Sequence, residues 1–445
     1  MPASNSQAMS ERLYIRAMDY FPDGTSRVTV ARNPIPTYMA KGEGAYLSDV
    51  DGRRFLDLNG NFTTLIHGHG FEPVRAAVME QLKLGTCFAN PTEAEINLAN
   101  LLCDRVPAIE RIRFVNTGTE AVLFAVKAAR AFTGRSAIAK IEGAYHGAYD
   151  WVEVSQASHP GNWGEASRPN STPYYHGVPA HVLADVVTLN FNDVEGSVRL
   201  LEQRASDLAA ILIDPMPSRA GLVPPEKPFI DAIQEVARRH GILIISDEIL
   251  NLRQGFQGAS ARYGITPDLM TLGKIIGGGF PIGAIGGRID VMSVFSADKG
   301  RPLLPQGGTF SANPVAMVAG HACISALTIE MFDHLERLGE EIRSGIKQII
   351  QRNNVGLSVT GAASLFKIHP KRAEPRNFRD SYQYPHELNV MKAMTDHFAQ
   401  HGIILPLGAA ACLSSPMGSE ESQAIISAFA SFVDGSSNLI RTLDQ

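Results

Sequence analysis

The sequence predicts an α/β protein with a mostly parallel central sheet covered by helices on both faces, plus a smaller α+β domain built from both termini. Between residues 111 and 287, short apolar runs alternate with helical segments, as in parallel sheets with crossover helices. On either side of this region the pattern changes to isolated strand and helix signals. A chain of 445 residues is also too long for one simple core. We therefore expect a large domain at 71–313 and a small domain from 1–70 and 314–445.

Six apolar runs are the predicted strands of the large domain: residues 111–115, 136–141, 186–190, 209–214, 242–246 and 269–272. Helices are predicted between several of them, including 121–132 and 228–240. Ligands are expected at the carboxyl ends of such strands. The interval 151–184, rich in proline and glycine, breaks the alternation and is predicted to be a long functional or mobile loop, whose order the sequence leaves open.

The small domain is predicted from both ends of the chain. A DVDG turn between two short apolar segments, within residues 44–58, indicates an antiparallel hairpin, and 72–84 reads as a helix. After Asn313 and Pro314, one long helical pattern continues to about residue 353. The remaining elements predicted are strands at 403–405 and 411–413 and a closing helix at 419–433.

Composition excludes several classes of function. The formal net charge is −5, the pI is near 6.2, and lysine and arginine are scattered, which argues against nucleic acid or an anionic membrane as partner. The first residues lack the apolar segment of a signal peptide, and no run of about 18 apolar residues occurs. These features predict a soluble cytoplasmic protein.

The four cysteines are far apart and form no CxxC pair, which argues against a disulfide framework or a zinc site. They are Cys87, Cys103, Cys323 and Cys412. We expect all four to be buried thiols in a reducing compartment.

Lys274 is the candidate nucleophile. It follows the predicted strand 269–272 and precedes three glycines, Gly277 to Gly279, so a ligand could approach the backbone closely. Partial burial would lower the pKa of the amine and favour Schiff-base formation. An isolated lysine is more often a solvated surface charge, so the assignment depends on its neighbours.

Asp247 supports the assignment of Lys274 as a nucleophile. It ends the apolar run GILIISDEI at residues 241–249, the pattern of a buried parallel strand whose carboxyl end carries function. An aspartate there could cap a helix or a turn. Alternatively, its carboxylate could keep a heterocyclic nitrogen protonated, as pyridoxal phosphate requires.

Three further loops carry weaker signals. In NTGTEA, residues 116–121, Gly118 and Thr119 lie at a predicted helix start, which suits a phosphate group but equally suits simple N-capping. In EGAYHG, residues 142–147, Tyr145 could stack on a planar ring or belong to the core, and His146 could be a satisfied polar side chain. The loop GGTFSANP, residues 307–314, offers the hydroxyl of Thr309.

Together with SDEI and TLGKIIGGG, these motifs resemble those of the class III, or ornithine-type, aminotransferases of fold type I. The resemblance covers nearly the whole chain and is strongest to the glutamate-1-semialdehyde aminomutase and β-amino-acid aminotransferase branch. It implies pyridoxal phosphate as cofactor and a small-molecule amino donor and carbonyl acceptor as substrates.

The resemblance also implies roles for individual residues. Lys274 would hold the cofactor as a Schiff base, and Asp247 would pair with its ring nitrogen. The ring would lie between Tyr145 and Ile249, with His146 close to the cofactor. Gly118 and Thr119 would bind the phosphate. Thr309 would reach the same phosphate from the partner subunit of a homodimer.

Substrate residues are predicted at three positions. Arg27, in the GTSR turn, matches a carboxylate-binding position of the β-amino-acid branch, although a plain surface arginine fits equally well. Phe62 matches an aromatic pocket position and could also be a core residue. Arg219, in DPMPSR at 214–219, replaces a glycine-containing turn, and we expect it to bind a substrate anion or narrow the pocket.

The segment 405–410 departs from the family pattern. It lacks the arginine that many relatives use for a second carboxylate, and Leu407 lies about where that arginine can occur. It also lacks the acidic residue expected of an aminomutase. We therefore expect an aminotransferase acting on a carboxylate-bearing amine such as a β-amino acid. The alternatives are a glutamate-1-semialdehyde-type 2,1-aminomutase, an amino-acid racemase, or a cofactor-binding protein without catalysis.

Overall fold

The computed structural model describes residues 8–30, 34–298 and 300–444. Its strands are β1 (Met39–Glu43), β2 (Tyr46–Asp49), β3 (Arg54–Asp57), β4 (Arg111–Val115), β5 (Ala137–Ile141), β6 (Gly164–Glu165), β7 (Arg168–Pro169), β8 (Val186–Leu189), β9 (Leu208–Ile213), β10 (Leu243–Asp247), β11 (Leu269–Gly273), β12 (Gly283–Gly287), β13 (Ser358–Thr360), β14 (Leu365–His369), β15 (Ile403–Ile404) and β16 (Ala411–Cys412).

Its helices are α1 (Met9–Ala17), α2 (Gly60–Thr63), α3 (Glu72–Leu84), α4 (Glu93–Arg105), α5 (Gly118–Thr133), α6 (Asp150–Glu153), α7 (Ala180–Ala184), α8 (Val194–Gln203), α9 (Lys227–His240), α10 (Gly258–Tyr263), α11 (Ile289–Met292), α12 (Pro314–Ser325), α13 (Ile329–Asn353), α14 (Phe378–Ser381), α15 (Pro385–Gln400), α16 (Ser419–Gly435) and α17 (Ser437–Ile440). Short 3-10 helices span Asn251–Gln254, Lys274–Gly277, Ser293–Phe295 and Arg441–Asp444.

The central sheet has seven strands in the order β4-β12-β11-β10-β9-β5-β8. The six predicted strands run parallel to one another, and β12 runs antiparallel to both of its neighbours. Alternate residues of β9 face opposite ways: Ala210 and Leu212 pack in the cluster that includes α5, whereas Ile211 and Ile213 pack in the cluster that includes α9. The mostly parallel sheet with helices on both faces is therefore confirmed.

The sequence did not predict strand β12, because three of its five residues are glycine. The packing explains this composition. A Cβ at Gly283 would overlap the Thr117 carbonyl, and a Cβ at Gly286 would lie 2.5 Å from the Ile109 side chain. The backbone is so close to its neighbours that the apolar, β-branched signature of a strand is sterically excluded here.

The two ends of the chain meet in a four-stranded sheet of order β1-β2-β3-β15. The predicted hairpin is present as β2 and β3, and β15 adds to it in parallel from the C-terminal part of the chain. A separate three-stranded sheet has the order β13-β14-β16. The smaller α+β unit therefore draws on both termini, while domain boundaries at residues 70 and 313 stay a prediction.

The long helical pattern predicted after Pro314 is present, but it is divided into two helices. The chain breaks between α12 and α13, where the Thr328 hydroxyl accepts a hydrogen bond from the Met331 amide and caps the second helix. Within the described residues, no single helix has both the length and the apolar composition to cross a membrane. The pair α12 and α13 meets these two criteria only when taken together, bent by 74°.

Two other expectations need revision. Cys323 and Cys412 are buried as expected, but Cys87 is exposed in the loop after α3 and Cys103 is only half-buried on α4. The interval 151–184 also has secondary structure of its own, namely the end of α6, the β6–β7 hairpin and α7. Its backbone is joined to the preceding loop because the Gly143 amide donates to the Ser155 carbonyl at 2.8 Å.

We predict that Gly320→Ala destabilises the protein by about 1–3 kcal/mol. Gly320 lies on α12 where a Cβ would overlap the Ile276 carbonyl, in the 3-10 turn that begins at Lys274. The check is urea denaturation followed by circular dichroism. Gly435→Ala is the matched control, since Gly435 ends α16 with open space around it. Equal unfolding midpoints for Gly320→Ala and the unmodified protein would contradict this reading of the packing.

Candidate active site

The carboxyl ends of β9, β10 and β11 place three ionisable residues at one edge of the sheet. Asp214 follows β9, Asp247 ends β10, and Lys274 follows β11. Asp247 pairs in register with Thr271 of the neighbouring strand. The sequence prediction that Asp247 and Lys274 each lie at a strand end is met by the structure, which also makes the two strands neighbours in the sheet.

Asp247 is held by three hydrogen bonds although only 5% of it is exposed. Its Oδ1 accepts from the Ile249 amide and from the Thr271 hydroxyl, both at 3.1 Å. Its Oδ2 lies 2.7 Å from His146 Nδ1. These contacts fix the orientation of the carboxylate without any side-chain cation beside it in hydrogen-bonding contact.

His146 acts toward Asp247 as a neutral hydrogen-bond donor. The ring is fully buried, and burial lowers the pKa of His146 below its usual 6.5 although Asp247 raises it. A neutral ring that donates from Nδ1 leaves Nε2 as an acceptor. Nε2 is buried and has no hydrogen-bond partner within the described residues, which is uncommon for a buried polar atom.

Lys274 has strained backbone geometry and a perturbed amine. Its φ of 50° is left-handed, which costs about 1–2 kcal/mol for a residue with a side chain. Burial lowers the pKa of Lys274 below its usual 10.5, while Asp247 and Asp214 act in the opposite direction. Strain of this kind persists where surrounding structure enforces it, and it is concentrated at functional sites.

Asp214 is a third acid at this edge that the sequence did not single out for catalysis. Its Oδ1 accepts from Asn251 Nδ2 at 2.6 Å and from the Met216 amide at 3.0 Å. Burial, reinforced by the nearby Asp247 carboxylate, raises the pKa of Asp214 to about 8. Asp214 is therefore protonated at neutral pH and contributes polarity without a second full negative charge.

The start of α5 offers unused backbone donors. Thr117 is the N-cap of α5, because its hydroxyl accepts from the Glu120 amide at 3.1 Å. The capping role that the sequence left open therefore belongs to Thr117, and Gly118 and Thr119 are the first two residues of the helix. No acceptor within the described part of the chain binds the amides of Gly118 and Thr119. The Thr119 hydroxyl accepts from Ala148, which joins this turn to the His146 loop. Free amides at a helix start suit a phosphate.

Ile249 and Tyr145 border the space between these groups. A Cβ at Gly118 would lie 2.8 Å from Ile249 Cδ1, and one at Gly273 would lie 3.3 Å from Ile249 Cγ2, so Ile249 packs closely against both glycines. Tyr145 is 50% exposed, and the guanidinium carbon of Arg219 lies 5.1 Å from its ring centroid. The ring of Tyr145 is thus free to contact a bound molecule.

The predicted substrate residues form two separate groups. Arg27 is exposed, and its guanidinium carbon lies 5.5 Å from the ring centroid of Phe62. Phe62 belongs to α2, whose four residues all have left-handed φ values between 50° and 72°. Arg219 instead lies against Tyr145. Thr309 is exposed, and its role across a subunit interface stays a prediction.

Three of the buried cations bind carbonyls of the loops around the site, and the sequence analysis did not single them out. Lys140 Nζ donates to the carbonyls of Ile141, Ala144 and Val154, and burial lowers the pKa of Lys140 to about 7. Arg253 donates to the carbonyls of Thr63 and Leu413 and to the Ser364 hydroxyl.

The third is Lys367, which donates to the carbonyls of Ser218 and Gly408. A local signal existed for Lys140 and Lys367, since each lies within a short apolar strand.

These residues fit pyridoxal phosphate on structural grounds alone. The free amides of Gly118 and Thr119 suit its phosphate, and the oriented carboxylate of Asp247 suits its ring nitrogen. The amine of Lys274 suits its aldehyde carbon. The buried Nε2 of His146 marks a polar atom in the same site with no protein partner.

Comparison with known proteins supports the same assignment. The class-III aminotransferase family model matches residues 28–433. A glutamate-1-semialdehyde 2,1-aminomutase from Methanothermobacter thermautotrophicus is 39% identical over 84% of this chain and 86% of its own length. An omega-transaminase from Sphaerobacter thermophilus is 45% identical, with a TM-score of 0.94 over 97% of this chain and 99% of that chain.

A β-phenylalanine aminotransferase from Variovorax paradoxus is 32% identical, with a TM-score of 0.86 over 97% of this chain and 95% of that chain. The family match and these identities over most of the chain agree with the site geometry. The chain therefore belongs to the class-III aminotransferase family and is an enzyme that uses pyridoxal phosphate.

Proposed function

We propose that the enzyme transfers the amino group of a β-amino acid to a keto acid or an aldehyde. The observation that carries this proposal is the contact between Arg27 and Phe62, 5.5 Å from guanidinium carbon to ring centroid. A guanidinium suits a carboxylate, and an aromatic side chain suits an apolar substituent. The similarity to a β-phenylalanine aminotransferase supports the same substrate class.

Pyridoxal phosphate, when bound, supplies an electron sink for the charge that develops on the substrate carbon. We assign its phosphate to Gly118 and Thr119 and its ring nitrogen to Asp247. The bonds from Ile249, Thr271 and His146 hold Asp247 in one orientation, so its carboxylate can retain a proton on that nitrogen. Ile249 and Tyr145 are assigned to the two faces of the ring.

Lys274 is assigned two tasks, holding the cofactor covalently and moving a proton. Its Nζ, when free, would take a proton from the substrate carbon as a general base. Burial favours this role because it lowers the pKa of the amine and increases the fraction that is unprotonated near neutral pH. Protonated Asp214 avoids placing a second carboxylate beside Asp247.

An aminomutase is the second candidate, because curated relatives such as the Methanothermobacter protein carry that name. Against it, the segment 405–410 contains no acidic residue. An amino-acid racemase would use the same cofactor and lysine and would return the proton to the original carbon. The distinguishing property is net amino transfer, which neither alternative requires.

We predict that the purified enzyme with pyridoxal phosphate has an absorption band at about 410–430 nm, and that a β-amino acid removes it without added acceptor. Amino transfer consumes this form of the cofactor, whereas isomerisation or racemisation restores it. The measurement is a spectral titration with β-amino acids, α-amino acids and simple amines. Lys274→Ala is the control and should lack the band.

Retention of the band with every β-amino acid, together with turnover of another donor class, would contradict the β-amino-acid assignment. Failure of the unmodified protein to show the band after addition of pyridoxal phosphate would contradict the roles assigned to Lys274 and Asp247.

We predict that Arg27→Ala lowers kcat/KM for a β-amino acid by about 10- to 100-fold, the loss expected for a charge-assisted hydrogen bond. The variant should leave a primary amine without a carboxylate unaffected. Steady-state kinetics with β-phenylalanine and 1-phenylethylamine compare the two cases. Arg53→Ala is the matched control, because the Arg53 guanidinium also lies 5.5 Å from a phenylalanine ring, that of Phe55. An equal loss with both substrates would rule out carboxylate binding by Arg27.

We also propose a homodimer in which Thr309 completes the partner's phosphate site. Large apolar side chains are exposed along residues 79–96 and 303–310, and such surfaces often mark protein contacts. They are Met79, Leu82, Leu84, Phe88, Ile96, Leu303 and Phe310. The second group includes the loop of Thr309, so a partner covering these residues would meet that loop.

Mixed dimers test this arrangement. We predict that Lys274→Ala and Thr309→Ala are each strongly impaired alone but recover roughly a quarter of normal activity after random re-pairing of equal amounts. A mixed dimer regains one site with both residues intact only if Thr309 acts across the interface. Light scattering coupled to size exclusion checks the mass. A monomer, or no recovery in a verified mixed dimer, would contradict the proposal.

A further inference from the structure

Lys367 is a buried ammonium group with no carboxylate partner among the described residues. It lies on β14 with 8% of its surface exposed, and Nζ donates to the carbonyls of Ser218 at 2.9 Å and Gly408 at 3.3 Å. An ammonium has three donors, so one remains without a protein acceptor in the described chain. A buried charge with neither a counter-ion nor full hydrogen bonding is costly, so a ligand that supplies an acceptor would stabilise it.

Arg219 adds a second cation beside Lys367. Burial and then the charge of Arg219 lower the pKa of Lys367 to about 8, and no acidic side chain acts in the opposite direction. Arg219 itself is half-buried, lies against the ring of Tyr145, and forms no ion pair within the described residues. The two cations therefore form a positive region next to a side chain that we assign to the cofactor ring.

The backbone that carries Arg219 is fixed at three carbonyls. Lys367 binds the Ser218 carbonyl, the Ser381 hydroxyl donates to the Arg219 carbonyl at 3.3 Å, and the Thr360 hydroxyl donates to the Gly221 carbonyl at 2.6 Å. Side chains from three separate segments thus hold one short turn. Such support is expected where a side chain must be positioned for binding.

The same lysine also binds the segment that departs from the family pattern. Gly408, whose carbonyl accepts from Lys367, adjoins exposed Leu407, in the stretch without an arginine for a second carboxylate. Lys367 thereby places a positive charge beside the stretch from which an arginine is missing. The charge comes from β14 rather than from the segment itself.

We propose that Lys367 and Arg219 form an anion subsite that binds the distal carboxylate of a dicarboxylate substrate or acceptor. This inference rests on the proposed aminotransferase function, in which the other carboxylate belongs to the site of Arg27. The subsite would allow a second carboxylate to bind, although segment 405–410 lacks the arginine that many relatives use for this purpose. Lys367 binds the anion with its remaining donor, and Arg219 contributes a second, more exposed cation.

Ligand binding to the holoenzyme tests the subsite without turnover. Glutarate carries two carboxylates, and pentanoate has the same chain length with one. We expect calorimetry to show that glutarate binds about tenfold or more tightly than pentanoate, the difference expected for one added charge-assisted hydrogen bond. Lys367→Met and Arg219→Gln should each reduce this preference to less than about threefold, and Lys367→Arg should retain most of it.

Lys371→Met is the matched control, because Lys371 lies close to the same strand but already pairs with Glu387 at 2.7 Å. It should leave the preference unchanged. Equal binding of the two ligands to the unmodified enzyme, or an unchanged preference in a folded Arg219→Gln variant, would overturn the subsite. Neither binding result depends on amino transfer. The calorimetry therefore tests the subsite, and the spectral titration separately tests the proposed function.

Discussion

The site depends above all on an aspartate carboxylate held at a buried strand end by neutral donors. Asp247 accepts from a backbone amide, from the Thr271 hydroxyl and from a neutral imidazole, so none of these contacts cancels its charge. Two surrounding features follow from this. Burial, and then the charge of Asp247, raise the pKa of Asp214 to about 8, so Asp214 is protonated at neutral pH. The amine of Lys274 is attracted to the Asp247 carboxylate, while burial acts against its charge and lowers its pKa.

The loops around this centre are joined by buried cations that bind backbone carbonyls. Lys140 holds the turn before Tyr145, Arg253 joins the Phe62 turn to the strand-end residue Leu413, and Lys367 joins the Arg219 turn to segment 405–410. A cation with several donors can fix segments distant in sequence without requiring a carboxylate on either.

Most of the central sheet could be predicted because its parallel strands are buried on both faces and therefore apolar along their whole length. Strand β12 could not, because close backbone approach at Gly283 and Gly286 removes that signal. Asp247 and Lys274 were recognisable from their positions at strand ends. The linking role of Arg253 was not, because its partners Thr63 and Leu413 are 190 and 160 residues away and are chosen by backbone position. Because Arg253 binds the backbone carbonyls of these two residues, their side-chain types give no sign of the contact.

The left-handed turn at Gly60–Thr63 is one of the segments held by a buried cation, Arg253. Three consecutive residues with side chains have positive φ, at about 1–2 kcal/mol each, so the turn requires external support. Asn59 Oδ1 accepts from the Phe62 amide at 2.6 Å, and Arg253 binds the carbonyl that ends the turn. After burial, the charge of Arg253 also lowers the pKa of Lys274, so one buried guanidinium influences both the position of the Phe62 ring and the charge of the Lys274 amine. Under the proposed assignments, substrate binding at Phe62 and proton transfer at Lys274 share this structural support, although the two residues are more than 200 positions apart in the sequence.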